Sequence, residues 1–201
     1  MNEIDRFFTP NPADFAKRYI DHLCEVLKRI DTRQIAQFLK IILDARERQS
    51  TVFFIGNGGS AATASHFAND LTVGIPSLTK PLRVMSLTDN MAVITAVAND
   101  NGYEEIFVRQ LKVYASKMDV LVAISASGNS SNILSALEYA KSIGMTTVGI
   151  TSFDGGSLKR LVDHSVHVPT DLKEYGPAED AHMMINHLMH NYLTRLLKQE
   201  P

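Results

Sequence analysis

Between Thr51 and Asp70 the run Val52-Phe53-Phe54-Ile55 meets the turn Gly56-Asn57-Gly58-Gly59-Ser60 and then a stretch with helical character. Four β-formers bounded by glycine read as a buried parallel strand. The turn has too little side chain to pack a core, but its backbone N–H groups are suited to close on an anion where the next helix begins. Ser60 is expected to cap that helix.

A chain of 201 residues accommodates one domain with a sizeable core. We read a single domain, 1–201, with a helical hairpin over 1–50 and an α/β core over 51–201 that ends in a helix. Its 20 basic and 22 acidic residues form no basic cluster, so neither nucleic acid nor an anionic membrane is an expected partner. A small molecule is. Cys24 is the only cysteine, which excludes an intrachain disulfide and suits a reducing compartment. The start Met1-Asn2-Glu3-Ile4-Asp5-Arg6 lacks a signal pattern and no apolar run approaches a membrane span, so a cytoplasmic location is expected.

Apolar residues recur at helical spacing from Phe15 to Ile30 and again from Ile35 to Leu43, after a cap at Asp31 or Thr32. The apolar faces of this hairpin must be covered by the sheet or by another subunit, and partly intersubunit packing is expected. From residue 51 onward strand and helix alternate. Strands are predicted at Val52–Ile55, Val84–Leu87, Val120–Ile124, Thr147–Ile150 and Ser165–Val168, with helices near 60–71, 90–98, 104–115, 131–142, 156–162 and 179–198. This alternation predicts a parallel sheet covered on both faces, with ligands at the strands' C-terminal ends.

A second loop, Ser125-Ala126-Ser127-Gly128-Asn129-Ser130-Ser131, follows the third predicted strand. Ser125, Ser127 and Ser130 offer hydroxyl and backbone N–H donors that can surround one phosphate without lysine or arginine. Serines and glycines are also ordinary turn residues, but two such loops after two buried strands favour a site. Neither loop carries Gly-Lys-Ser or Gly-Lys-Thr, which removes a P-loop. Gly56, Gly58 and Ala61 satisfy the loose G-x-G-x-x-A dinucleotide pattern, with Asp89 ending the next strand. That fold leaves the serine loop unexplained, and no nucleotide cofactor is expected.

Together with His66, Leu87-Thr88-Asp89-Asn90, Ala98-Asn99-Asp100-Asn101-Gly102-Tyr103 and Asp154-Gly155-Gly156, the two loops resemble the sugar isomerase domain family, and within it the bacterial phosphoheptose isomerases. The resemblance spans nearly the whole chain. It implies a three-layer α/β sandwich with a five-stranded parallel sheet, N-terminal helices that assemble a homotetramer, and sites between subunits. Ser60, Ser125, Ser127 and Ser130 would hold a sugar phosphate with the Gly58-Gly59 turn, while Asn57, Asp89 and Glu179 would line the pocket. The reaction implied is ketose to aldose, sedoheptulose 7-phosphate to D-glycero-D-manno-heptose 7-phosphate, for lipopolysaccharide or capsule heptose.

By the same resemblance Asp70 stands where the isomerases carry a glutamate base and His187 where they carry a histidine on the last helix. Aspartate keeps the carboxylate but reaches one methylene less far. Glu179 replaces a glutamine, Gly74 an arginine and Gly176 a pocket aspartate. Isomerisation through an enediol needs one proton moved between carbons and one between oxygens, for which a carboxylate and a histidine are apt. The competing readings are a surface acid for Asp70 and a packing histidine for His187. His66 and Asp70 share a helix face, Glu179 and His187 lie two turns apart on another, and some members hold zinc at the matching positions. A zinc site at His66, Asp70, Glu179 and His187 therefore stands beside the reading that two polar faces merely line a pocket. Two other functions remain open: a sugar-phosphate sensor or isomerase for another sugar, and a non-catalytic adaptor, since the family includes a regulator that binds the bacterial replication initiator.

Overall fold

The computed structural model describes residues 2–75 and 80–198, which leaves both ends of the 1–201 range outside the described residues. The N-terminal part holds α1 (Glu3–Phe7), α2 (Pro12–Lys28) and α3 (Thr32–Arg48). The core follows as β1 (Thr51–Gly56), α4 (Gly59–Val73), β2 (Arg83–Ser86), α5 (Met91–Asn101), α6 (Val108–Tyr114), β3 (Val120–Ser125), α7 (Ser131–Ser142), β4 (Thr146–Thr151), α8 (Gly156–Leu161), β5 (His164–His167) and α9 (Tyr175–Leu197). All strand pairs are parallel, in the order β2-β1-β3-β4-β5.

Strand alternation divides the core between the two faces of the sheet. Val52 and Phe54 of β1, Val120, Val122 and Ile124 of β3 and Val148 of β4 pack with α3, α4 and α9. Phe53, Ile55, Leu121 and Ala123 turn the other way, toward α6, α7 and α8. α4 is seated on the first face by Phe67, whose ring stacks on Phe54 at 4.9 Å, and by Leu71. Burying each such side chain stabilises by about 1.5–3 kcal/mol, enough to fix the helix against the strand it follows.

The three-layer parallel architecture agrees with the sequence expectation, and the departures have local causes. Ser60 is not the cap of α4. The helix begins two residues earlier than that cap implies, at Gly59, with Gly58 as its N-cap at φ +53° and no side-chain cap. Only glycine adopts that turn without strain, so the loop's backbone sets the start. The stretch near 104–115 is not one helix but a 3-10 turn, Tyr103–Glu105, followed by α6. Ile106 and Phe107 between them are buried, and Gln110 donates to the carbonyls of Leu87 and Ile106 at 2.9 Å each, so packing overrides the periodicity. α9 starts at Tyr175 rather than 179 because Pro177 is tolerated in a first turn, where no N–H is required.

Asp31 caps α3, accepting from Arg33 N at 3.0 Å. The hairpin divides its apolar residues unequally. α3 buries Ile35, Phe38, Leu39 and Ile42 against the sheet of its own chain, whereas α2 buries only Val26 and leaves Ile20 exposed. Of the two long helices of the hairpin, α2 is therefore the one whose apolar residues its own chain leaves uncovered.

Candidate active site

The strand order reverses direction at β1, between β2 on one side and β3 on the other. In open parallel sheets the crevice at such a switch, beyond the strands' C-terminal ends, is where ligands collect. Both glycine- and serine-rich loops leave the sheet there, after the paired ends Gly56 and Ile124. They enclose a cavity of about 130 Å³ lined by Asn57, Ser60, Ser125, Ser127, Ser130 and Glu179, with Tyr175 at its side.

The cavity's chemistry follows from two uncapped helices. Neither Gly58 before α4 nor Ser130 before α7 places a side chain on the first turn of its helix. Orphan N–H groups and the positive ends of two helix dipoles therefore converge on one small space, which suits an anion. The Ser130 hydroxyl is not spent on capping. Ser125 Oγ accepts from Gly128 N at 3.1 Å and Ser127 Oγ from Asn129 N at 3.4 Å, which leaves each O–H hydrogen available to a ligand. Gly128, at φ +64°, has no room for a Cβ, which would strike the Gly155 carbonyl. The Asp154-Gly155-Gly156 turn thus props the serine loop: Leu158 N donates to Gly128 O at 2.9 Å and Ser157 N to Asn129 Oδ1 at 3.0 Å.

Asn57 is held by neighbours that local sequence patterns do not reveal. Its amide pairs reciprocally with that of Asn132, at 2.8 and 2.9 Å, and Tyr103 Oη donates to its Oδ1 at 2.9 Å. Asn132 is buried at the start of α7, so this lock joins the two loops. The sequence alone gives Asn132, Tyr103 and Tyr175 no role, because their contacts form only when distant segments meet.

α4 and α9 run side by side in the same direction, and their residues meet in register. Gly59 lies against Glu179, where a Cβ would run into the carboxylate. Further along, His66 Nε2 is 3.3 Å from His187 Nε2 and 3.4 Å from Asp70 Oδ2, and Asn186 Nδ2 donates to Asp70 Oδ2 at 2.8 Å. Further still, His190 Nε2 is 3.4 Å from the Gly74 carbonyl. One ligand atom each from His66, Asp70 and His187 lies within 4.8 Å of the others. Two imidazoles and a carboxylate are a donor set used by catalytic zinc, which keeps a further position open.

Glu179 is not part of that cluster. It precedes His187 by eight residues, about 12 Å along a helix, and its carboxylate turns to the cradle. Burial, and secondarily Asp180, raises its pKa above the usual glutamate range. In the protonated form it presents an O–H donor. Asp89 does not line the cradle either. It follows the edge strand β2 and lines a wider cavity of about 530 Å³ with Ser65, Asn69 and Tyr114, its carboxylate accepting from Ser65 and from Thr88 Oγ1. His182, fully buried and 3.0 Å from Ser152 Oγ, is a core histidine whose pKa burial pushes down to about 4.

Fold and site together define a parallel α/β protein with a polar cradle at the sheet's switch point and a histidine–carboxylate cluster further along the α4–α9 pair. Residues 17–152 match the family model for the SIS domain. A phosphoheptose isomerase of Helicobacter pylori strain P12 is 36% identical over 181 residues, covering 89% of this chain and 93% of that protein. The structure of a phosphoheptose isomerase from Francisella tularensis superposes with a TM-score of 0.83 at 27% identity, over 92% of this chain and 99% of the other. That of a phosphoheptose isomerase from Neisseria gonorrhoeae gives 0.78 at 27%, over 90% and 98%. The chain belongs to the SIS domain family.

Proposed function

We propose that this protein is a phosphoheptose isomerase, interconverting sedoheptulose 7-phosphate and D-glycero-D-manno-heptose 7-phosphate. One observation supports the reading: α4 and α9 meet at the loop cradle through Glu179 and, further along, bring Asp70 and His187 together. A sugar held by its phosphate at Ser60, Ser125, Ser127 and Ser130 extends its carbonyl end toward that pair.

The chemistry needs no net oxidation. Asp70 takes a proton from C1, and the electrons of that C–H bond form the C1=C2 double bond while His187 delivers a proton to the C2 carbonyl oxygen. The enediol collapses in the opposite sense: the O1 proton passes to His187, the carbonyl forms at C1, and Asp70 returns its proton to C2. As an alternative to that proton transfer, His66, Asp70 and His187 would hold a zinc ion, which when bound would supply Lewis-acid polarisation of the sugar oxygens.

We place the enzyme in the cytoplasm as a homotetramer joined through α2, whose apolar Ile20 is exposed. Among the described residues no helix is long and apolar enough to cross a membrane. Sedimentation is expected to give four chains per particle, and a concentration-independent monomer would contradict the assembly. For the activity, the protein incubated with sedoheptulose 7-phosphate and followed by NMR is expected to form an aldose heptose 7-phosphate. No product from it or from a panel of other ketose phosphates would remove the isomerase reading.

A further inference from the structure

Asn186, on α9, is fully buried but uses only half of its amide. Its Nδ2 donates to Asp70 Oδ2, while its Oδ1 has no hydrogen-bond partner among the described residues. An ionised carboxylate only accepts, so the N–H side must face Asp70 and the oxygen is left buried and unpaired. For folding alone this is a poor choice. An unpaired buried acceptor is destabilising, and an apolar residue of similar volume fills the same space without it. The amide is explained by what it does to Asp70.

Asp70 sits on a helix with its side chain mostly buried, and two amides hold it. Asn69 Nδ2 donates to Oδ1 at 3.1 Å from the same helix, and Asn186 reaches Oδ2 from the facing one. Because Asn186 directly precedes His187, the bond also ties the carboxylate's position to the turn of α9 that carries its partner. We propose that Asn186 is a positioning residue for the Asp70 carboxylate, an amide from the facing helix that holds this short acid at the working distance from His187 and the sugar. The inference rests on the isomerase reading and deepens it: it says how an aspartate serves where the longer glutamate would otherwise reach.

The test is a set of three variants in the full-length protein. Asn186→Leu is expected to lower kcat about ten- to a hundredfold, the range for a reacting group displaced by about 1 Å, with KM unchanged because the cradle is untouched. Its thermal midpoint is expected to change little, because removing the unpaired acceptor offsets the lost bond to Asp70. Asn186→Ala, which adds no bulk, is expected to show the same kcat loss. Asp70→Glu introduced together with Asn186→Leu is expected to recover most of the rate, the longer side chain no longer needing the amide. An unchanged kcat in both single variants would overturn the inference while leaving the isomerase reading intact. So would a kcat loss that tracks thermal stability and is not recovered in the double variant. A wild-type protein that isomerises no ketose phosphate removes the isomerase reading, and this inference with it.

Discussion

Asp70→Asn is expected to abolish most turnover while leaving the sugar phosphate bound. Asparagine keeps the shape of aspartate: its one oxygen can still accept from Asn69, and Asn186, with its amide turned, can accept from the new Nδ2 through its otherwise unpaired Oδ1, so the α4–α9 contact survives. What disappears is the ability to take a proton from carbon. General-base catalysis contributes typically about 10²–10⁴-fold, and a kcat loss in that range is expected. Because the cradle lies at the start of α4 and the cluster several turns on, calorimetry with the sugar phosphate is expected to give an unchanged affinity. A variant that still turns over at the wild-type rate would exclude Asp70 as the base.

The second large effect belongs to the other end of the cleft. Ser125→Ala with Ser127→Ala removes two hydroxyl donors from the cradle but leaves the backbone path, because Gly128 still donates to the Ser125 carbonyl at 3.2 Å and accepts from Leu158 N at 2.9 Å. Each lost hydrogen bond to a charged group costs about 1.5–3 kcal/mol. The pair is therefore expected to weaken sugar phosphate binding by about 10²–10⁴-fold. Calorimetry measures this directly, with the thermal midpoint as a check on folding. Unchanged affinity would mean that the phosphate sits elsewhere.

Much of this arrangement is legible in the chain because it is written in short-range patterns. β1 and β3 are continuous apolar runs, each followed at once by its loop, so both the strands and the anion-facing turns announce themselves. His66 and Asp70 share a helix face by their spacing alone. Features that depend on where distant segments meet are not visible in this way. The Asn57–Asn132–Tyr103 lock spans three segments, and the direction of Glu179 is fixed by how closely α9 approaches Gly59. Asp89 reads as a pocket residue by its place after a strand, but an edge strand delivers it to a different cavity. Propensity puts the cap of α4 at Ser60, whereas a positive φ at Gly58 decides it.

Asp70 and His187 are expected to move a proton between adjacent carbons of a sugar gripped by its phosphate. Incubation with sedoheptulose 7-phosphate in heavy water, followed by mass and NMR analysis of the sugar, tests it most directly. Deuterium is expected on the recovered sugar at the carbons that exchange through the enediol, together with aldose phosphate. Both signals are expected to fall in parallel in Asp70→Asn and in His187→Ala. A sugar phosphate that binds in the cradle but gains no carbon-bound deuterium from the wild-type protein, with or without added zinc, would contradict the account and leave a binding protein in its place.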